Sequence, residues 1–183
     1  PYTNPNTTFT IEEGTVLKFF DGVSLTINGE IKIKGNPLNP VELLAANNLW
    51  NGIVIQSPNL EPINISQNGD YISGNYIAHA NFEGAKNPVL ADNIDMYLND
   101  INIQDYYYGF KVGSNSYFNN IDMDNSLSIL DNDIEYCAID GGLTFSNISI
   151  SNSLGSGIVS RNNEALYNNI QITDCNGDAL NGG

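Results

Sequence analysis

Residues 97–105 read YLNDINIQD and residues 117–125 read YFNNIDMDN, one phrase written twice at an interval of 20 residues. A phrase that recurs at a fixed interval marks repeat architecture, in which each unit buries its apolar face only against its neighbours. Three more copies extend the series: YIAHANFEG at 76–84, TFSNISISN at 144–152 and LYNNIQITD at 166–174. The intervals between starts are 21, 20, 27 and 22 residues, a period with one insertion. Position two is apolar throughout (Ile77, Leu98, Phe118, Phe145, Tyr167), and so is position five (Ala80, Ile101, Ile121, Ile148, Ile170). Position seven (Phe82, Ile103, Met123, Ile150, Ile172) alternates with five through polar neighbours, as a half-buried strand does.

Positions two and five have opposite parity, and a straight strand sends such residues to opposite faces. The chain must therefore bend between them. Position four supplies the bend: His79 in the first copy, then Asp100, Asn120, Asn147 and Asn169. Asn and Asp enter the left-handed region more readily than other non-glycine residues. Each unit thus reads as strand, one-residue corner, strand, then a polar turn at position nine (Gly84, Asp105, Asn125, Asn152, Asp174). A further short apolar run follows: PVL at 88, GFKV at 109, GIVS at 157 and DAL at 178, with SLSIL at 126 as a blurred version in the third unit. Three short strands per unit predict a parallel β-solenoid, hydrogen-bonded from coil to coil at ~4.8 Å.

The N-terminal third has its own grammar. Short strands are predicted at 9–11, 16–19, 24–27, 30–33, 41–44 and 53–55, separated by EEG, DG, NG and GNPLNP, all turn chemistry. In order, EEGTVLKF, GVSLTINGEIKIKG, NPVEL and WNGIVI resemble the opening coils of right-handed parallel β-helix domains of secreted and cell-surface bacterial proteins. The later NNI and GIV units are similar to the repeats of the same superfamily, which includes pectate lyases and polygalacturonases. The resemblance covers most of the chain except 57–75 and implies an all-β, right-handed, single-stranded parallel β-helix (solenoid). The expectation is one domain over 1–183: N-terminal coils at 1–56, a loop or insertion at 57–75, and repeats at 76–183. It amounts to about seven or eight coils. The last coil begins and stops without a capping segment, so a further domain or subunit is expected to cover that end.

Charge narrows the partners. Twenty-one acidic residues against six basic ones give a net charge of −15, and residues 92–183 carry thirteen acids with only Lys111 and Arg161. Nucleic acid and anionic membrane surfaces, which bind basic patches, are poor partners. No run of eighteen apolar residues exists to insert in a membrane. Such acidity suits an extracellular or saline setting, where salt screens self-repulsion beyond ~10 Å, and the resemblance implies a secreted, extracellular or cell-surface location.

Carboxylates also suggest calcium, which prefers oxygen ligands. The best local pattern is DCNGD, with Asp174, Asn176 and Asp178 at alternate positions, followed by DNDIE with Asp131, Asp133 and Glu135. Neither completes an EF-hand loop, and corner residues of a β-helix are Asp and Asn in any case. Cys137 and Cys175 are 38 residues apart, slightly under two coils, which favours two free thiols over a disulfide.

For an active member, the resemblance implies either a strong base facing calcium-binding acids, as in lyases, or paired aspartates with a His and an Arg-x-Lys element, as in hydrolases. Here Arg161 is the only Arg, His79 is the only His and sits in the corner column, and Arg-x-Lys is absent. Asp122 and Asp124 alternate on one strand face, but outward solvated side chains are the simpler account. The aromatic residues offer a different site. Tyr106, Tyr107 and Tyr108 fall together in DYYYGF, while Tyr97 and Tyr117 share a column; a stacked tyrosine face suits sugar rings. The expectation is a non-catalytic stalk or adhesin module presenting a surface to glycans or partner proteins. The alternative is a polysaccharide-active lyase or hydrolase domain with calcium as its cofactor.

Overall fold

A computed structural model of the chain describes residues 7–56, 62–126, 137–160, 162 and 164–182. All regular structure among them is β-strand, eighteen strands in total. The strands form a nine-stranded sheet, a seven-stranded sheet and a small hairpin. Every pairing within the two large sheets is parallel.

The repeats build the larger sheet. Strands Asn75–Glu83, Met96–Tyr106, Tyr117–Ser126, Thr144–Ser151 and Leu166–Thr173 lie side by side in repeat order. Equivalent positions pair: Leu98 with Phe118 and then Phe145, Ile101 with Ile121 and then Ile148. Positions two, five and seven are all buried in the first four copies. The opposite parity is resolved where the sequence requires it. His79, Asp100, Asn120, Asn147 and Asn169 have φ between 50° and 54°, so one left-handed residue turns the strand and the ladder skips that residue alone. The expected strand, corner and strand is therefore one bent strand rather than two, because hydrogen bonding resumes directly on either side of the corner.

The N-terminal strands solve the same problem with longer corners. Glu30–Lys34 pairs with the first half of Asn75–Glu83, through Lys32 to Tyr76, and Val41–Ala45 pairs with the second half, through Val41 to Ala80. Residues 35–40, the GNPLN turn and its Pro40, take the place of the single left-handed residue. Thr8–Glu12 and Val16–Phe19 repeat this arrangement against Glu30–Lys34 and Val41–Ala45.

The second sheet follows sequence order: Ser24–Ile27, Trp50–Ile55, Ala85–Leu90, Phe110–Lys111, Cys137–Asp140, Ser156–Ser160 and Leu180–Gly182. In the third unit a strand of this sheet is Cys137–Asp140, where Ile139 pairs with Phe110; residues 127–130 of the SLSIL run at 126 lie outside the described residues. Pro88 has no N–H to give, and the register shifts between Asn87 and Val89 to pass it. Gly52 faces that irregularity at φ 93°, where a Cβ would lie 1.5 Å from the Asn87 carbonyl oxygen.

Apolar side chains of both sheets meet in one continuous core. Aromatic rings stack along the strand-pairing direction, Phe118 on Phe145 within the core at 5.3 Å and the more exposed Tyr167 against Phe145 at 5.1 Å. Phe19, Trp50 and Phe82 form a second stack, with centroids at 4.1 and 6.5 Å. Full burial of Trp50, Phe82, Phe118 and Phe145 contributes about 1.5–3 kcal/mol each. Among the described residues no strand pairs with the far side of Leu166–Thr173, where Leu166 and Tyr167 are exposed.

Substitutions at two positions test this construction. Ile121→Asp places a carboxylate in the core, and loss of a cooperative unfolding transition is expected by circular dichroism; a cooperatively folded variant contradicts the core assignment. At the corner, Asn120→Gly keeps the left-handed backbone accessible, whereas Asn120→Val strains it by a further ~1–3 kcal/mol. Urea midpoints should fall in the order native, Gly, Val; a Val variant as stable as the Gly variant contradicts the corner's role.

Candidate functional site

The corner residues form a ladder of side chains. Asn120 Nδ2 donates to Asp100 Oδ1 at 2.8 Å, Asn147 Nδ2 to Asn120 Oδ1 at 2.9 Å, and Asn169 Nδ2 to Asn147 Oδ1 at 2.8 Å. His79 Nδ1 lies 3.4 Å from Asp100 Oδ2 and ends the row. A second row begins beside it, where Asn119 Nδ2 donates to Asn99 Oδ1 at 2.8 Å. Strand spacing sets these contacts, since a short amide spans the gap between adjacent parallel strands. The one histidine is thus engaged at a corner.

Position nine is left-handed as well: Gly84, Asp105, Asn125, Asn152 and Asp174 have φ between 52° and 66°. Asn125 Nδ2 donates to Asp105 Oδ1. Asp124 accepts from Ser151 Oγ at 2.6 Å and Asn152 Nδ2 at 2.8 Å, and these bonds hold its carboxyl below the usual range. The carboxylate of the Asp122 and Asp124 pair that lies nearer the turn is therefore held ionised by that turn.

The five tyrosines singled out in the sequence do not form one face. Tyr97 and Tyr117 stack at 5.0 Å with planes 3° apart, and Tyr76 continues the column at 5.7 Å from Tyr97. This column is covered. Within the segment 57–75, Asn64–Ile65 and Tyr71–Ser73 form an antiparallel hairpin, whose Tyr71 packs 4.6 Å from Tyr76 and 5.4 Å from Tyr97. Tyr97 Oη donates to the Gly69 carbonyl at 3.3 Å, and Gly69 sits so close to Tyr117 that a Cβ would approach its hydroxyl to 2.9 Å. Residues 64–73 of that segment therefore cover the aromatic column. Tyr106 is buried in the core, and only Tyr107 and Tyr108 of the triplet stay half-exposed.

Tyr107 opens onto a groove of about 670 Å³ at the position-nine corners. Asp21, Leu49, Glu83, Lys86, Asp105 and Tyr107 line it. These residues come from four successive levels of the stack, and no sequence window contains them together. The only local signals were the left-handed Asp105 and the aromatic triplet beside it.

Asp174, Asn176 and Asp178 are exposed beyond the last long strand, and Asp174 forms its left-handed turn. Among the described residues, no group of three His, Cys, Asp or Glu side chains is arranged to hold a metal ion. Asp131, Asp133, Glu135 and Arg161 lie outside the described residues. Cys175 is a free, half-buried thiol whose pKa burial pushes up; the Cys137 backbone pairs with Ser156 instead. Compared with protein-family models, curated proteins and solved structures, the chain matches none.

The covered column carries a pH signature. Burial first, then negative charge on Tyr117, Tyr76, Asp70 and Asp100, pushes the Tyr97 phenol up from 10.0 to about 12. The folded chain holds the neutral phenol, so its contribution is whole below about pH 10 and is lost as pH climbs through about 12. The melting temperature should fall more steeply across that window in the native chain than in Tyr97→Phe; parallel curves would show that the phenol is not coupled to folding.

Proposed function

We propose that the two parallel sheets are walls of a right-handed, single-stranded parallel β-helix of the pectate-lyase-like kind, and that the chain is a non-catalytic module of a secreted or cell-surface protein. Its role is to act as a rigid stalk or adhesin and to present a long polar surface to glycans or partner proteins. The observation that carries this reading is the unbroken corner ladder from His79 to Asn169, which engages the one histidine with Asp100 and ties successive levels together along the outer surface. Ladder bonds contribute about 0.5–1.5 kcal/mol each and stiffen the stack along its length. The net charge of −15 supports an extracellular setting and partners other than nucleic acid.

The test is depolymerisation. The protein, shown to be folded, is incubated with neutral and uronic polysaccharides with and without calcium, and new reducing ends and unsaturated products are followed. No turnover is expected in either condition. Turnover overturns the non-catalytic reading, and turnover only with calcium would favour a metal-dependent lyase or hydrolase.

A further inference from the structure

We infer that the groove at the position-nine corners binds amine-bearing sugar units of an oligosaccharide. The inference rests on the reading of the chain as a surface-presenting module and names the ligand class of one site on it. The groove's volume, about 670 Å³, falls in the range of small-ligand sites, ~300–1,000 Å³.

Its walls are held in place before any ligand arrives. Tyr107 and Tyr108 both donate their backbone N–H to the Lys86 carbonyl, at 3.3 and 2.7 Å. Trp50 Nε1 donates to the Glu83 carbonyl at 3.2 Å, and Glu83 itself is exposed. Asp105 is fixed by its left-handed backbone and by Asn125. Gly84 keeps the floor low, since a Cβ there would come 2.7 Å from Ala45 Cβ. Preorganised groups lose little freedom on binding, so their contacts count towards affinity.

Charge then selects the ligand. Asp21, Glu83 and Asp105 face the groove against the single ammonium of Lys86, in a chain that is strongly acidic overall. A uronate is repelled, and a protonated amine is attracted to the carboxylates and to the Tyr107 ring. Because no three acidic groups among the described residues are placed to share a metal, an organic cation is the better match for these separated carboxylates. Lys86 has no carboxylate within ion-pair distance among the described residues. A basic peptide would set like charge against it, whereas a sugar hydroxyl accepts its hydrogen bond. Amine and hydroxyls on one ring satisfy both signs of the lining, and the Tyr107 ring offers an apolar wall to the sugar's C–H face.

The experiment is calorimetric titration of the folded protein with a tetramer of glucosamine at about pH 5.5, where the sugar's amine is protonated. Saturable binding is expected, weakening as salt rises, and about tenfold weaker in both Tyr107→Ala and Glu83→Gln, with Tyr107→Phe close to native. A tetragalacturonate should not bind, and a tetralysine peptide should bind more weakly than the amino sugar. The assignment is overturned by no saturable binding, by binding that both variants leave unchanged, or by tetralysine binding as tightly as the tetramer. Assaying the same tetramer for cleavage separates the two proposals. A tetramer bound and cut keeps the groove and sinks the non-catalytic reading, whereas one neither bound nor cut sinks the groove alone.

Discussion

One left-handed residue per repeat decides how this chain packs. Positions two and five are both apolar and of opposite parity, so an extended strand would place one of them in water. Putting Asp or Asn at φ near 50° costs up to about 1–2 kcal/mol. The turn it makes sends two apolar side chains inward, each contributing about 1.5–3 kcal/mol of burial. The balance favours the corner at every repeat, and the outcome is a column of bent strands around one core.

That bend also determines the outer surface. The residue that turns the backbone must project its side chain outward, and parallel pairing brings like residues into line. Amides in line hydrogen-bond along the stack, from Asp100 through Asn120 and Asn147 to Asn169. Position nine repeats the device, and where its corners meet the turn at Asp21 and the Leu49 side chain they leave the groove that Tyr107 lines. A residue type chosen for backbone freedom thus becomes the material of the surface, and acidic versions of it set the surface's charge.

Much of this was legible in the chain. The N-terminal strands expected at 16–19 and 24–27 are Val16–Phe19 and Ser24–Ile27, and 30–33 is Glu30–Lys34. Turn residues and alternation report backbone geometry locally, so these boundaries needed no partner. Three features did not read this way. The third unit's second-sheet strand is Cys137–Asp140, because strand choice there follows pairing with Phe110, and apolarity alone cannot distinguish runs that have the same local pattern. Tyr97 and Tyr117 share a column as expected, yet a hairpin contributed by residues 64–73 covers them. Nothing in the composition of that segment distinguishes a covering hairpin from an exposed loop. The groove joins Asp21, Glu83 and Tyr107, which lie on different levels, and a single level carries no trace of the other two.

By itself, the sequence determined the period, the inward columns and the positions of the left-handed corners. Each of these follows from side-chain parity and backbone freedom within a window of a few residues. Only the tertiary structure decided which tyrosines meet solvent, which run closes the third unit and which carboxylates share a groove. Those outcomes depend on the register between units and on the packing of the hairpin, and both are set by contacts between residues some twenty or more positions apart.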